Sequence, residues 1–386
     1  MLLLVVLVGM GEKMAERFLP LYILALGGGA WAVGALNAMD NLLSALYSFP
    51  GGWLADRIGH KRSLELFTLV ALAGYLLVIL VPDWRMVLAG SVLFISWTAV
   101  SLPAIMSLVS KAAPKDRRSL GVSLHSFTRR VPMALGPLAG GLLINAYGKV
   151  QGTRAAFCAA FAMGLAGLVA TRLLMAEDAG AGPAAPGGRR PLRELFSPAL
   201  RSLLASDILI RFAEQIPYAF VVVWAVNENG LTAFQFGILT AIEMAVAMLV
   251  YIPVAWLADR RGKKPFVLAT FGFFTLFPLV LLASRSFTMF ILAFVVRGLK
   301  EFGEPTRKAL IMDLAPEDAK ARAFGAYYLV RDLVVSAAAL SSAWLWKISP
   351  AANFLVAAGF GALGTALFAA FGRDLPVAGA APGSES

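Results

Sequence analysis

The sequence predicts an all-α membrane protein in which twelve transmembrane helices form two pseudo-symmetric six-helix halves. Three observations lead to this prediction. Hydrophobic residues make up 59% of the 386 residues and charged residues only 15%, and apolar runs long enough to cross a bilayer recur along the chain. Lysine and arginine concentrate in alternate loops. One loop sequence occurs twice, half a chain apart.

The apolar runs divide the chain into twelve predicted spans. Their limits are about 2–26, 31–55, 63–82, 86–110, 119–146, 153–175, 200–227, 233–258, 265–283, 289–313, 323–346 and 351–372. Residues 176–191 are rich in Ala, Gly and Pro, a composition typical of linkers. We therefore expect an N-terminal six-helix bundle at 1–175, a cytoplasmic linker at 176–199, a C-terminal bundle at 200–374 and a disordered tail at 375–386.

The loop charges predict the orientation of the chain. The loops at 56–62, 111–118, 176–201, 259–264 and 314–322 hold 17 Lys and Arg residues, against about five on the other side. Cytoplasmic loops are rich in these residues, so we expect both termini in the cytoplasm and the chain in the plasma (inner) membrane. The net charge of +11 has the same origin, and we expect no nucleic acid partner. Met1 opens directly onto an apolar run, so we expect no cleaved signal peptide.

The repeated loop is the most specific motif of the chain. Its first copy follows the second span and contains Gly52, Asp56, Arg57, Gly59, Lys61 and Arg62. The second copy follows the eighth span, repeats the string Trp-Leu-Ala-Asp-Arg and contains Asp259 and Arg260. An acid lies sixteen positions before each aspartate, Asp40 in the first half and Glu243 in the second. Matching landmarks in two halves are typical of internally repeated transporters.

The first copy resembles the signature that members of the major facilitator superfamily carry between helices 2 and 3. The second resembles the counterpart between helices 8 and 9, although it lacks the glycine that the first copy has at Gly52. The resemblance implies a transporter whose halves rock about a central site. It also implies that the loop residues form a conformational latch, in which Asp56 caps a helix N-terminus or pairs with a cation in the outward-facing state. The alternative is an ordinary basic cytoplasmic loop.

The fifth span contains a second motif, formed by Gly136, Pro137, Gly140 and Gly141. It resembles a motif in helix 5 of exporters of the same family, which implies export. The alternative is that these residues only let a neighbouring backbone approach, and the two interpretations carry equal weight. The arginine that the family often has in helix 4 is missing, because the corresponding positions hold Gly90 and Ser91.

Charged residues inside the spans predict a substrate site. A charge at the bilayer centre costs about 2.5–3.5 kcal/mol on insertion scales, so it needs a partner or a water-filled cavity. Spans 3, 6, 9 and 12 have no charge in their middles and are expected to face lipid. Spans 1, 7 and 10 carry charges midway, close to Pro or Gly, and residues 298–305 are expected to unwind locally. The predicted substrate residues are Glu16, Arg17, Arg211, Glu214, Arg297, Lys300 and Glu301. The alternative for each is a structural ion pair.

Asp40 and Glu243 are the candidates for proton coupling. Neither has a base three or four residues away on its own helix. The resemblance suggests Arg331 as a partner for Asp40, and Arg129 or Arg130 for Glu243, but these arginines lie at other depths. Arg17 remains a possible partner of Asp40. Burial without a cation disfavours the charged form of a carboxyl group, so such a group can load a proton on one side of the membrane and release it on the other.

These observations favour a secondary active transporter that moves a small polar or charged solute by alternating access. Proton-coupled export is the leading hypothesis, and proton-coupled uptake of an organic solute is the alternative. A lipid-flipping or receptor-like protein without solute flux is the alternative from another class. The sequence has no nucleotide-binding loop, metal-ligand spacing or nucleophile motif, so we expect no enzymatic activity and no cofactor. The expected partners of a monomer are the solute, protons and the lipid bilayer.

Overall fold

The computed structural model describes residues 2–95, 97, 118–175, 192–316 and 320–373. Within these ranges, side chains are not described at 2–5, 45, 48–56, 60, 118–129, 192–193, 252, 255, 259, 261 and 320–322. All regular secondary structure in the described part of the chain is helical.

The first half of the chain supplies six described helices. They are α1 (Leu2–Glu16), α2 (Leu19–Ala25), α3 (Ala30–Ile58), α4 (His60–Leu80), α5 (Trp84–Phe94) and α6 (Arg118–Leu174). Gly148 breaks α6 with a φ of 79° and a ψ of 171°, a backbone conformation that glycine adopts without steric cost. The two parts of α6 therefore correspond to the predicted fifth and sixth spans.

The second half begins with a short helix and continues with long ones. Its described helices are α7 (Leu192–Leu195), α8 (Pro198–Tyr218), α9 (Phe220–Val223), a π-helical turn (Trp224–Glu228), α10 (Ala233–Arg261), α11 (Lys264–Ala283), α12 (Phe287–Leu299), α13 (Glu304–Leu314), α14 (Lys320–Ile348) and α15 (Pro350–Phe371). Among the described residues, six helices are individually long and apolar enough to cross a membrane, and the pair Pro198–Tyr218 and Phe220–Glu228, bent by 40°, makes a seventh.

Three of the predicted spans are interrupted. The first ends as α1 at Glu16 and resumes as α2 at Leu19. Pro20 explains this break, because a proline lacks an N–H group and clashes with the carbonyl group four residues earlier. The tenth span is open between α12 and α13, as predicted for residues 298–305. There the N–H group of Gly303 donates instead to Thr270 Oγ1 at 2.6 Å. The seventh span bends after Tyr218.

The helices of the two halves repeat in the same register. Helices α3 and α10 both have 29 residues and begin at residues 30 and 233, which are 203 positions apart. Helices α5 and α12 begin at residues 84 and 287, again 203 positions apart. The turns also match, since Gly59 has φ 90° and ψ 154° and Gly262 has φ 88° and ψ 160°. We call the membrane side that carries these two turns the signature side.

The two halves pack tightly near the opposite side of the membrane. There α3 lies against α14, where a Cβ atom at Gly34 would be 2.7 Å from the Cβ atom of Ala343. Helix α6 lies against α10, where a Cβ atom at Gly237 would be 2.6 Å from the carbonyl oxygen of Pro137. Gly34 and Gly237 are themselves 203 positions apart, so the same contact forms twice. Glycine permits this approach because it has no side chain.

Further contacts between the halves reinforce this layer. Lys149 Nζ donates to Asn227 Oδ1 at 2.6 Å, and the Phe18 ring meets the Phe236 ring edge-on at 5.9 Å. One cluster of buried hydrophobic residues runs through both halves here. The opposite side is therefore sealed by direct helix packing.

The short helix α7 packs onto the protein. The Leu195 side chain is buried with Ala315 and Ala323, so α7 covers the ends of α13 and α14. Ser197 then begins α8, and its Oγ accepts the N–H group of Leu200 at 3.2 Å, a side-chain N-cap.

Candidate functional site

A cavity of about 360 Å³ lies between the two halves, on the signature side of the sealed layer. The turn after α1 and helices α3 and α6 contribute one wall, and α8, α10, α12, α13 and the segment between the last two contribute the other. The lining residues are Arg17, Asp40, Arg130, Met133, Arg211, Glu214, Gln215, Tyr218, Glu243, Met244, Tyr251, Arg297, Lys300, Glu301 and Lys308. Six of the seven predicted substrate residues line it, as do both predicted coupling acids.

Most charges of the second half are paired within the cavity. Glu214 accepts hydrogen bonds from both Arg211 and Lys300. Glu301 accepts one from Arg130 of α6 at 3.1 Å, so this ion pair crosses between the halves. The Arg130 guanidinium also lies 4.7 Å from the centre of the Tyr251 ring. The unwound segment between α12 and α13 carries Lys300 and Glu301, which brings both side chains to the cavity wall.

Glu243 has a cationic partner, so the prediction that it is unpaired was wrong. Its Oε1 lies 3.2 Å from Nε of Arg297, and both side chains are only 3% exposed. The expected partner Arg130 turns to Glu301 instead, and the Arg129 side chain lies outside the described residues. The Arg297 guanidinium also lies 5.3 Å from the Phe277 and Phe294 ring centres. The prediction failed because neither the spacing along one helix nor the resemblance to the family pointed to Arg297, which reaches Glu243 from α12.

Asp40 has a different environment. Within the part of the chain that the structure describes, no Lys or Arg side chain lies within ion-pairing distance of its carboxylate. Arg17 lines the same cavity but donates to the Tyr218 hydroxyl at 3.0 Å. Arg331, the other suggested partner, binds Asp207 and Asp332. The cavity therefore holds one carboxylate and one guanidinium that no described ion pair neutralises.

A smaller pocket of about 50 Å³ adjoins this cavity. Arg17, Asp40, Tyr218 and Arg297 line both spaces. The remaining walls of the pocket are mostly apolar and consist of Leu19, Pro20, Leu36, Ile95, Ala219, Val221, Val222 and Phe236, with Glu16 and Asn37 as polar members. Glu16, the seventh predicted substrate residue, thus faces the small pocket.

A compact charge cluster lies on α1, and only one of its members, Glu16, was among the predicted substrate residues. Lys13 Nζ lies 3.1 Å from Glu12 Oε1 and also binds the Glu16 carboxylate. The spacing of Glu12 and Glu16, four residues apart with Lys13 between them, is a signal that places all three on neighbouring faces of one helix turn. One ammonium group thus binds two carboxylates beside the pocket.

A second buried charge network lies within the C-terminal half. Asp207 of α8 is 1% exposed and binds the guanidinium groups of Arg307 and Arg331. It also accepts the Tyr327 hydroxyl at 3.0 Å. Glu304 accepts from Arg307 at 2.6 Å, which continues the network to the cavity. Because each charge has an opposite neighbour, the network lies buried between α8, α13 and α14 without an uncompensated charge.

The glycines of the helix-5 motif mediate close packing. A Cβ atom at Gly136 would be 2.7 Å from Lys13 Cβ, one at Gly140 would overlap the Met14 carbonyl oxygen, and one at Gly141 would be 2.5 Å from the Ala233 carbonyl oxygen. Pro137 lies on the face that receives Gly237. The motif thus joins α6 to α1 on one face and to α10 on the other, which fits the packing interpretation and leaves the link to export a prediction.

The signature loops are partly described. Arg57, Arg62 and Arg260 are exposed, and Lys61 Nζ donates to the Arg172 carbonyl oxygen at 3.1 Å. Gly59 has the positive φ described above. The region around Gly52 and the side chains of Asp56 and Asp259 lie outside the described side chains, so the latch stays a prediction.

Comparisons with known proteins agree with this architecture. A family model described as Major Facilitator Superfamily matches residues 1–213 and again residues 203–386. An uncharacterized MFS-type transporter of Methanocaldococcus jannaschii is 32% identical over 105 residues, which are 27% of this chain and 26% of that protein. The match thus spans about a quarter of the length of that relative.

Solved structures share the fold at low sequence identity. A mutant of the nucleoside transporter NupG superposes with a TM-score of 0.80 at 11% identity, covering 96% of this chain and 98% of that one. A mutant of the peptide transporter POT bound to sulfate gives 0.76 at 17% identity, covering 96% and 93%. A bacterial homologue of the human lysosomal transporter Spinster, inward-facing and unoccupied, gives 0.69 at 14% identity, covering 97% and 98%. The chain belongs to the major facilitator superfamily and is a multi-pass membrane transporter with the fold of these solved structures, in which two similar halves follow one another along the chain.

Proposed function

We propose that this protein is a proton-coupled secondary transporter for a small solute that carries both a negative and a positive group. The observation that carries the proposal is the cavity between the halves, whose walls hold charged residues from both. A central site at the interface of two repeats is where transporters of this design bind solute. Its volume of about 360 Å³ suits a small ligand.

The pairing of the cavity charges supports the solute chemistry. Glu214, Glu243 and Glu301 are neutralised by neighbouring bases, whereas Arg17 and Asp40 are not neutralised by any described ion pair. A carboxylate or phosphate on the solute would bind Arg17 in a charge-assisted hydrogen bond. An ammonium group would bind Asp40 when that residue is ionised. The adjoining apolar pocket would take a short apolar group, since about 50 Å³ holds roughly three water-sized groups.

Alternating access is the proposed mechanism. The sealed layer closes the opposite side, and Lys308, which is 47% exposed, lines the cavity toward the signature side. Rocking of the halves would open the Gly34 and Gly237 contacts and close the cavity from the signature side. The cation-rich loops support a cytoplasmic signature side in the inner membrane, with both termini on that side.

The direction of transport is proposed from the helix-5 motif. Proton antiport with export is the first hypothesis, and symport with uptake is the second. Both need a carboxyl group that gains and loses a proton during the cycle, for which Asp40 and Glu243 are the candidates. The solved neighbours include transporters named for peptides and for nucleosides, which are polar solutes.

The test begins with purified protein and a panel of amino acids, dipeptides, nucleosides and their neutral derivatives. A specific binder raises the unfolding temperature by mass action. Each binder is then assayed in proteoliposomes under an imposed pH gradient. We expect saturable solute flux, against the proton flux for antiport and along with it for symport. Lipid movement between leaflets without any solute flux would contradict the proposal and favour a lipid-flipping protein.

A further inference from the structure

The two candidate proton-binding acids occupy equivalent positions in the internal repeat. Asp40 and Glu243 are 203 positions apart, the same interval that separates the starts of α3 and α10 and of α5 and α12. The same interval leads from Arg297 to Phe94. The residue that neutralises Glu243 in the second half is therefore a phenylalanine in the first.

In the second half, close helix packing holds Glu243 and Arg297 together as an ion pair. A Cβ atom at Gly298 would be 2.7 Å from the carbonyl oxygen of Glu243, so this glycine lets α12 approach α10 next to the acid. Arg297 precedes it and is thereby brought to the Glu243 carboxylate at 3.2 Å. Aromatic rings cover the guanidinium. The pair is buried and leaves no uncompensated charge.

The first half lacks both residues of this arrangement. Phe94 is 2% exposed and packs against the Tyr75 and Phe157 rings at 5.2 and 5.7 Å. The counterpart of Gly298 is Ile95, a larger side chain that lines the small pocket together with Asp40. Helix α5 therefore offers Asp40 neither a cation nor a close backbone contact.

Among the described residues, the other charged and titratable groups around Asp40 come from several neighbouring helices, and the bases among them contact other groups. They are Glu12, Lys13 and Glu16 on α1, Arg17 just after it, Tyr75 on α4, Tyr218 on α8, Glu243 on α10, Arg297 on α12, and Arg331 and Asp332 on α14. Lys13 binds the two acids of its own helix, Arg17 binds Tyr218, Arg297 contacts Glu243, and Arg331 binds Asp207 and Asp332.

We propose that Asp40 alone binds the transported proton and that Glu243 and Arg297 form a permanent structural ion pair. Phe94 is then a positioning residue, because it occupies the place from which a cation would reach Asp40. This inference rests on the proposed proton coupling and selects between its two candidate acids. A carboxyl group without a fixed cation binds a proton more readily than one in an ion pair. Asp40 also lines both the cavity and the pocket, so bound solute lies next to the proton.

The test needs no solute. Infrared difference spectra of the purified protein are recorded across a pH titration, and the absorption of protonated carboxyl groups is followed. We expect one titrating carboxyl signal that Asp40→Asn removes and Glu243→Gln retains. The double variant Glu243→Gln with Arg297→Gln serves as a second control, because it removes the pair without leaving a buried charge. A signal that survives Asp40→Asn, disappears with the loss of Glu243, or is absent from the unmodified protein would overturn the proposal.

The role of Phe94 is tested in the same way. Phe94→Arg restores the arrangement of the second half and should remove the titrating signal although Asp40 is still present. Phe94→Leu keeps the position apolar and should retain the signal. Equal spectra for the two folded variants would refute the positioning role. If solute flux is later found to depend on pH while Asp40 does not titrate, the transport proposal stands and this inference fails.

Discussion

At the scale of single residues, Asp207 illustrates how charge is accommodated in this protein. Its carboxylate is enclosed by two guanidinium groups and one hydroxyl group. A buried ion pair adds little net stability, but removing one partner leaves an uncompensated charge. Arg307 is 1% exposed and Arg331 is 7% exposed, so water cannot replace the lost carboxylate.

We therefore expect Asp207→Asn to lower the free energy of unfolding by about 3–5 kcal/mol. Thermal unfolding of the purified variant in detergent measures the change. Glu194→Gln is the matched control, because Glu194 is exposed on α7 and its loss should have little effect. Equal unfolding temperatures for both variants would show that the network does not stabilise the fold.

Substitution of Arg17 best distinguishes a role in solute binding from a purely structural role. Its guanidinium contacts a tyrosine hydroxyl and no described carboxylate, so it remains available to an anionic group. Arg17→Gln should weaken binding of carboxylate-bearing solutes about ten- to hundredfold, as expected for one charge-assisted hydrogen bond. Titration calorimetry with each binder and its amide derivative measures this. If acid and amide lose affinity equally, Arg17 acts on the packing of α8 and not on the solute.

At the scale of helices, close approach at glycine decides which elements move together. Gly140 leaves no room for a side chain against Met14, so α1 and α6 lie in backbone contact. Gly272 of α11 has nothing within 4 Å of its would-be Cβ atom. The two glycines are both helical, and only their surroundings differ.

Gly140→Ala should destabilise the protein by about 1–3 kcal/mol, because overpacking forces the backbones apart. Gly272→Ala should be neutral or stabilising by up to about 1 kcal/mol, since alanine favours a helix more than glycine does. Thermal unfolding of the two variants side by side tests this difference. The tight packing of α1 on α6 would be contradicted if the two alanine variants unfolded at the same temperature.

The helices themselves were largely predictable from the sequence, and their interruptions only in part. Apolar length and loop charge predicted the order of the spans. The opening near Gly298 was predicted because two glycines and a proline coincide there. The break after Glu16 was not, although Pro20 is a signal for it. Pro132 and Pro253 lie inside continuous helices, so a proline breaks a span only where neighbouring groups replace the lost hydrogen bonds.

The sequence indicated which charged residues lie together in the cavity, but not how these residues pair. The charges of spans 1, 7 and 10 do meet in one cavity, because each lies midway along its helix. The partner of Glu243 was missed because the register between α10 and α12 depends on Gly298, and spacing rules for one helix carry no information about another. The same limit applies to Arg130, which turned out to bridge the halves to Glu301.

At the scale of the whole molecule, the described contacts between the halves define one closed side. Gly34 and Ala343 approach so closely that cysteines there would need only a small shift to reach the Cβ separation of about 3.8 Å that a disulfide prefers. Cys158 is the only native cysteine, and Cys158→Ser removes it from the assay.

Gly34→Cys with Ala343→Cys should cross-link under oxidation and stop transport, and reduction should restore it. A protease site inserted within residues 176–191 reports the bond, since the cleaved halves then separate on a gel only after reduction. Gly34→Cys with Gly359→Cys is the control, because a Cβ atom at Gly359 would have nothing within 4 Å outside its own stretch of helix. Failure of the first pair to cross-link would mean that the sealed arrangement is not populated, and full transport after cross-linking would contradict alternating access.

The turn at Gly59 also couples the motion of the helices to the surrounding lipid. Only this residue lies between the end of α3 and the start of α4, and one residue reaches at most about 3.6 Å. A connection this short cannot lengthen, so a tilt that moves α3 away from α14 also moves α4. Helix α4 exposes Leu66, Leu69, Leu76 and Leu80, side chains that suit acyl chains. If the halves rock as proposed, this motion displaces lipid, and bilayer thickness and lateral pressure become a mechanical load on the transport cycle.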